Sequence, residues 1–214
     1  MKKRILLVPT LLLLLSSCNI IRSLNPFYVP EAISYQESLL GTYTDKAGAT
    51  WIISSAEADF NKQNALTEED RKHFEAYKGS YVIEYQLKGE KADFIGMPFL
   101  VNGQLLLDCV PVNFNCNGAG IADQHLLPTH SVAKLEMGPS NTLKIDFMDE
   151  DRVDELLKNG QLRIEHSKIG LLETLVLTAK SEQLYRFLER YLEADIEDKW
   201  NSKNFELSKV DEKS

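Results

Sequence analysis

Residues 94–112, FIGMPFLV-NG-QLLLDCVPV, carry the strongest short-range fold signal in this sequence. The dipeptide Asn102-Gly103 separates two apolar runs, Phe94–Val101 and Gln104–Val112. Asn-Gly readily adopts the positive φ angles of a two-residue type I′ turn, whose twist matches that of paired strands. The stretch therefore predicts two antiparallel strands that are joined by a tight hairpin.

Antiparallel strands are predicted on both sides of this hairpin. Tyr81–Leu87 and Leu143–Phe147 alternate apolar and polar side chains, which is typical of strands with one face in water. Leu40–Thr44 and Thr50–Ser54 form a second predicted hairpin around the turn Asp45–Gly48. Further strands are predicted at 130–137, 161–166, 172–179 and 203–209.

Three helices are predicted between the strands. Thr67–Tyr77 opens with a capping-box sequence, and Asp149–Lys158 opens with three acidic residues at the positive end of the helix. Ser181 begins a third helix, whose apolar residues recur at the i, i+3, i+4 spacing of a single stripe. These elements together predict an α+β fold, mainly an antiparallel curved or barrel-like sheet with about three helices.

The N-terminal stretch has the pattern of a secretory signal. Basic residues at 2–4 precede the aliphatic run Ile5–Leu15, and two small serines stand before Cys18. The run is too short for a permanent membrane-spanning helix, which needs roughly 20 apolar residues. The sequence Leu15-Ser-Ser-Cys18 resembles the processing box of bacterial lipoproteins.

This resemblance implies a location and a membrane partner. Lipoproteins are cut before the cysteine of the box, so the signal peptide 1–17 would be removed and Cys18 would carry the acyl chains. Each buried CH₂ group contributes about 0.8 kcal/mol, and several chains together anchor a protein stably. We therefore expect a lipid-anchored protein of the bacterial cell envelope. Asn19, with no acidic run after Cys18, favours the outer membrane with the protein facing the periplasm.

The mature chain is expected to hold a tether and one domain. Residues 18–38, which contain Pro26 and Pro30, show little periodicity and predict a tether. Residues 39–214 fit a single β-rich domain. Removing the three basic residues of the signal from 24 leaves 21 basic against 32 acidic residues, a net charge of −11. Such an acidic chain argues against a nucleic-acid partner.

Two further cysteines, Cys109 and Cys116, lie close together in the sequence. In the oxidising envelope they are predicted disulfide partners, and the alternative is two separate thiols, one of them buried on a strand. Their spacing is not that of a Cys-x-x-Cys redox or zinc motif, so we expect no thiol chemistry.

Several motifs resemble those of a group of bacterial envelope lipoproteins that has no assigned activity. They are Leu106-Leu-Asp108, His130-Ser-Val-Ala-Lys-Leu-Glu136, Leu143-Lys-Ile-Asp-Phe-Met-Asp-Glu150 and Leu177-Thr-Ala-Lys-Ser-Glu-Gln-Leu-Tyr-Arg-Phe-Leu188. Leu40-Gly-Thr-Tyr43 also resembles the Gly-x-aromatic start of lipocalin-like barrels. The first resemblance implies an envelope lipoprotein and nothing catalytic, and the second implies a barrel.

His130 is the one polar residue that we single out as a candidate site. It begins a predicted strand, where its alternative role is a structural hydrogen bond across a turn. Asp123, His125 and His130 form a metal-like cluster, but their spacing matches no zinc pattern, so we predict no metal site. The mature chain has no Gly-x-Ser-x-Gly and no His-Glu-x-x-His motif, so we predict no catalytic residue and no cofactor.

We therefore expect a non-enzymatic envelope protein that binds a ligand or a protein partner. Two alternatives stay open: a lipocalin-like carrier of an apolar small molecule, and an envelope hydrolase or metal-dependent enzyme that uses His130. Aromatic residues on the strands either fill the core of a small barrel or line the cavity of a wider one. They are Trp51, Tyr81, Tyr85, Phe94, Phe99 and Phe147. We expect them to fill the core, because protein interiors are close-packed.

Overall fold

The computed structural model describes residues 19–62, 67–114, 126–200 and 204–210, which form eleven β strands and four α helices. In chain order the strands are β1 (Arg22–Ser23), β2 (Gly41–Asp45), β3 (Thr50–Ser55), β4 (Tyr81–Leu87), β5 (Glu90–Val101), β6 (Gln104–Phe114), β7 (Ser131–Met137), β8 (Thr142–Phe147), β9 (His166–Ile169), β10 (Thr174–Leu177) and β11 (Phe205–Lys209). The helices are α1 (Ala56–Asn61), α2 (Glu68–Tyr77), α3 (Glu150–Lys158) and α4 (Ser181–Glu193).

Eight of the strands form a closed antiparallel barrel. Strands β2 to β8 each pair with the next one along the chain, and β11 closes the ring between β8 and β2. Because the ring is closed, its strands have no edge open for pairing with another chain. The predicted α+β fold with a barrel-like antiparallel sheet is confirmed, and its up-and-down strand order is that of lipocalin-like barrels.

Most predicted elements are present, with small changes at their ends. The Asn102-Gly103 hairpin joins β5 to β6, and both residues have positive φ, 50° and 79°. The three predicted helices correspond to α2, α3 and α4. The strand predicted at 161–166 is wrong, because β9 begins only at His166. Helix α1, which Ser55 caps by accepting a hydrogen bond from the Ala58 N–H, has no counterpart in the prediction.

One end of the barrel is closed by packed apolar side chains. Leu39, Tyr81 and Leu135 are buried there, where β2 and β4 begin and β7 ends. The Tyr81 hydroxyl accepts a hydrogen bond from the Gln36 N–H (2.7 Å) and donates one to the Gln36 carbonyl (2.9 Å). These two bonds hold the segment before β2 across this end of the barrel.

A second hydrophobic core lies outside the barrel. The apolar stripe of α4 is buried in it, together with outward-facing residues of β5 and β6 such as Phe99 and Leu106. Helix α3 and the small sheet β1-β10-β9 complete this outer layer. Among the described residues, no helix combines the length and the apolar character of a membrane span.

The segment predicted as a tether is part of this outer layer over its described residues, 19–38. Ile21 and Phe27 are completely buried, and β1 pairs in parallel with β10. The Ser34 N–H donates to the Pro98 carbonyl of β5 at 2.9 Å. A free tether is therefore the wrong description of this segment. Its prolines disfavour a long α helix, and Pro30 instead begins a short 3₁₀ helix, Pro30–Ala32. A segment that lies along a barrel in this way needs no periodic sequence.

Candidate ligand-binding site

The end of the barrel opposite Tyr81 contains an apolar cavity of about 380 Å³. Trp51, Ser131 and Phe205 line it from the starts of β3, β7 and β11, and Tyr85 and Phe147 line it from the ends of β4 and β8. Because neighbouring strands are antiparallel, these starts and ends meet at the same end of the barrel. We call this the cavity end. The other lining residues are Ile20, Ile83, Ala92, Phe94, Leu107, Cys109 and Ile145.

Aromatic rings form much of the cavity wall. Trp51 contacts Tyr85 and Phe205 edge to face, with ring centroids 4.9 Å apart in both pairs. Phe147 contacts Phe205 in the same way at 6.2 Å. The indole N–H of Trp51 donates to the Asp45 carboxylate at 3.1 Å, which fixes the ring at the wall. Edge-to-face pairs of this kind hold the rings in place, so the cavity is formed before any ligand enters.

The chemistry of the wall suits an uncharged, apolar molecule. Among the lining residues that the structure describes, none carries a charged side chain. The Cys109 thiol faces the cavity, and burial raises its pKa, so it stays protonated near neutral pH. The Ser131 hydroxyl is occupied by a hydrogen bond to the Cys109 carbonyl at 3.4 Å. A charged ligand group placed here would lose its hydration and gain no ion pair.

The predicted aromatic residues divide between cavity and core. Trp51, Tyr85, Phe94 and Phe147 line the cavity. Trp51 also belongs to the buried core cluster of the barrel, and Tyr85, Phe94 and Phe147 pack against that cluster. The expectation that these residues fill the core is therefore met only in part, because the cavity remains beside them. Tyr81 closes the opposite end, and Phe99 belongs to the outer core.

Sequence reasoning missed Ile20, which contacts the cavity from the segment predicted as a tether. No local signal identifies it, because its position depends on a bridge to Asp149 from a distant part of the chain.

His130 lies outside the cavity, where its partly exposed ring pairs with the buried carboxyl group of Asp108. Its Nδ1 is 2.6 Å from one carboxylate oxygen of Asp108, and the other oxygen accepts the Phe27 N–H at 2.8 Å. Burial raises the pKa of Asp108, and the hydrogen bond from His130 opposes that rise. Asp108 faces the outer layer, since its neighbours Leu107 and Cys109 face inward. The pair thus fastens the N-terminal segment to the barrel. His130 therefore has a structural role here, which the sequence analysis gave as the alternative to a functional site.

The remaining predicted site residues cannot be placed in the same way. Cys18, Cys116, Asp123 and His125 lie outside the described residues, and the residues described contain no group of three metal-binding side chains. The Cys109–Cys116 bridge stays a prediction. Strand β6 continues to Phe114, roughly 16 Å beyond Cys109 at 3.3 Å per residue, so the bridge requires the end of β6 to leave the sheet.

Ser131 and Lys134 have a Ser-x-x-Lys spacing, a nucleophile pattern that the sequence predictions overlooked. On strand β7 this spacing puts the two side chains on opposite faces of the sheet. Ser131 lines the cavity, whereas the Lys134 ammonium pairs with Glu136 at 3.2 Å and Asp146 at 3.4 Å. Lys134 is therefore too far from Ser131 to activate it.

The fold and the cavity define a class: a closed, lipocalin-like β-barrel with an apolar site at one end. A scan of the chain against protein-family models finds no matching family. Searches of curated proteins and of solved structures also find no significant match.

Proposed function

We propose that this protein is a lipid-anchored carrier of the bacterial envelope, which binds one apolar small molecule at the cavity end of its barrel. The observation that carries the proposal is the cavity of about 380 Å³, whose described wall is aromatic, aliphatic and uncharged. Of the two forms of the expected function, ligand binding and partner binding, the cavity favours ligand binding.

The cavity volume limits the size of the ligand. Small-molecule sites have volumes of roughly 300–1,000 Å³, and an apolar cavity of about 150 Å³ already holds benzene. A volume of about 380 Å³ therefore suits a single acyl chain or a small group of fused rings, rather than a complete phospholipid. Burial of apolar ligand surface would contribute roughly 25 cal/mol per Å² before the costs of association.

The predicted anchor gives the carrier a source of ligand. Cys18 immediately precedes Asn19 and Ile20, and Ile20 contacts the cavity. Acylation of Cys18 would therefore attach the membrane next to the cavity end. Molecules that dissolve in the bilayer would then have a short path into the barrel.

A fluorescent fatty-acid methyl ester, which carries no charge, tests the carrier proposal when it is titrated into the purified protein. Ala92→Trp places a large ring in the cavity, whereas Lys91→Trp places the same ring on the exposed side of the same strand. We expect saturable binding with one site per chain, at least tenfold weaker for Ala92→Trp and unchanged for Lys91→Trp. Binding that does not saturate, or that both variants change equally, would contradict a site inside the barrel. Thermal unfolding of both variants controls for misfolding.

Native mass spectrometry of the full chain, extracted from its own membrane, tests the ligand independently. A co-purifying apolar molecule of constant mass, lost from Ala92→Trp but not from Lys91→Trp, is the expected result. A metal ion or a stoichiometric protein in its place would favour one of the other functions. The N-terminal peptide from the same sample shows whether Cys18 carries acyl chains.

A further inference from the structure

The turn between β9 and β10 presents two leucines to solvent. Leu171 and Leu172 have relative exposures of 104% and 91%, the two highest among the large apolar residues that the structure describes. They are the central residues of a β turn that the Glu173 N–H closes onto the Gly170 carbonyl at 3.2 Å. Turn centres normally hold glycine, asparagine or other polar residues, so two leucines here have no role in forming the turn. Two adjacent apolar side chains that are both fully in solvent leave apolar surface that another apolar surface can cover.

The sheet register shows which way this turn points. In the parallel pair of β1 and β10, Arg22 lies opposite Val176 and Ser23 opposite Leu177. Two residues before Arg22 the chain reaches Ile20, which lines the cavity. Two residues before Val176 it reaches Thr174, the first residue of β10. The chain that leads back to Cys18 and the β9–β10 turn therefore extend toward the same end of the molecule.

A buried carboxylate holds the two segments together at this end. Glu150, at the start of α3, accepts the Leu175 N–H of β10 at 3.0 Å and pairs with Arg22 of β1 at 2.7 Å. The Glu150 N–H in turn donates to the Asn19 carbonyl at 3.0 Å. The position of the β9–β10 turn relative to the start of the described chain is thus fixed by hydrogen bonds.

We infer that this end of the molecule rests on the lipid bilayer, with Leu171 and Leu172 inserted into its surface beside the anchor. The inference builds on the proposed acylation of Cys18, because an anchor so near brings the turn to the membrane. The mature chain has a net charge of −11, so its overall charge does not attract it to an anionic membrane, and the proposed contact rests on the two leucines. The cavity end then faces the membrane, and an apolar ligand can pass between the two without crossing water.

Depth-dependent fluorescence quenching of the full-length protein tests this orientation. Leu172→Trp labels the turn, and Leu100→Trp labels an exposed site next to the Asn102-Gly103 turn, at the opposite end of the barrel. Both variants are combined with vesicles of phosphatidylethanolamine and phosphatidylglycerol, with and without bromine on the acyl chains. The signal of Trp51 and Trp200 is subtracted with the unmodified protein. We expect severalfold stronger quenching, and a blue-shifted emission, for the tryptophan at position 172.

Equal quenching at positions 172 and 100 would overturn the inference, as would quenching at position 100 alone. A turn that stays in water but becomes protected when another envelope protein is added would also overturn it, in favour of a protein partner. The titration with the fluorescent ester, repeated on Leu172→Trp and Leu100→Trp, separates this result from the carrier proposal. Normal ligand binding without quenching rejects the orientation only, whereas quenching without ligand binding rejects the carrier only. The mass of the N-terminal peptide reports acylation in either case.

Discussion

Replacing Phe27 by alanine tests whether the N-terminal segment belongs to the folded unit. The Phe27 ring is completely buried in the outer core. The substitution removes only this ring, so the backbone N–H of residue 27 still donates to Asp108. Removing a buried phenylalanine costs about 3–5 kcal/mol, a large share of the roughly 5–15 kcal/mol that stabilises a typical native protein. With a urea dependence of about 2 kcal/mol per M, the unfolding midpoint should fall by about 2 M.

Leu24→Ala is the matched control for this measurement. Leu24 lies three residues away with 42% of its surface exposed, and its N–H bond to the Leu177 carbonyl does not involve the side chain. We expect a loss of roughly 1 kcal/mol for this variant. Both are measured on the mature chain by circular dichroism in urea. If Phe27→Ala unfolds at the same urea concentration as Leu24→Ala, residues 19–38 are a tether after all, and the packing argument is refuted.

Two other substitutions address the polar groups of the outer layer. Glu150→Ala leaves the buried Leu175 N–H without its acceptor, so the free energy of unfolding should fall by about 1–3 kcal/mol. Glu150→Gln keeps an acceptor oxygen and should lower it less. Thermal unfolding of the two variants measures this difference. Because burial raises the pKa of Asp108 above 3.8, the folded state holds its proton where the unfolded state has lost it. The stability from this carboxyl should therefore fall as pH rises from about 4 through the raised pKa. Asp108→Asn should flatten that part of the stability curve, and an equally steep curve in the variant would contradict the assignment.

The sequence was sufficient for most of the strands and helices but not for closure of the sheet. Local patterns locate β4, the β5–β6 hairpin and α4, because each has its own alternation, turn or stripe. Closure depends on β11 pairing with β2, and Leu207 lies opposite Asp45 across most of the chain. Neither β11 nor β2 contains a local sequence pattern that predicts their pairing. The sequence is therefore equally compatible with an open curved sheet and with a closed barrel. The cavity was equally hidden, since alternation shows that Trp51 and Tyr85 face inward but not that space remains between them.

The N-terminal segment was misjudged for a related reason. Ile21 and Phe27 are buried by residues of α3, α4 and the barrel, whereas Pro26 and Pro30 give the segment the appearance of a linker. An extended chain that packs along the outside of a barrel obtains its backbone partners from the barrel. Its sequence therefore shows neither helical nor strand periodicity.

Specific polar bonds explain why this segment lies in one register. Apolar packing of Ile21 and Phe27 alone would tolerate sliding along the barrel, because hydrophobic contacts have no direction. A shift by one residue would turn Ile21 outward, remove Arg22 from Glu150 and leave the buried Asp108 carboxylate without the Phe27 N–H. Asp108 would keep His130 but lose the donor of its second oxygen, and a buried oxygen without a hydrogen bond is costly. This loss favours the register with Ile20 at the cavity. The pair of His130 and Asp108 thus acts as a positioning device, which fixes where the chain toward Cys18 leaves the barrel.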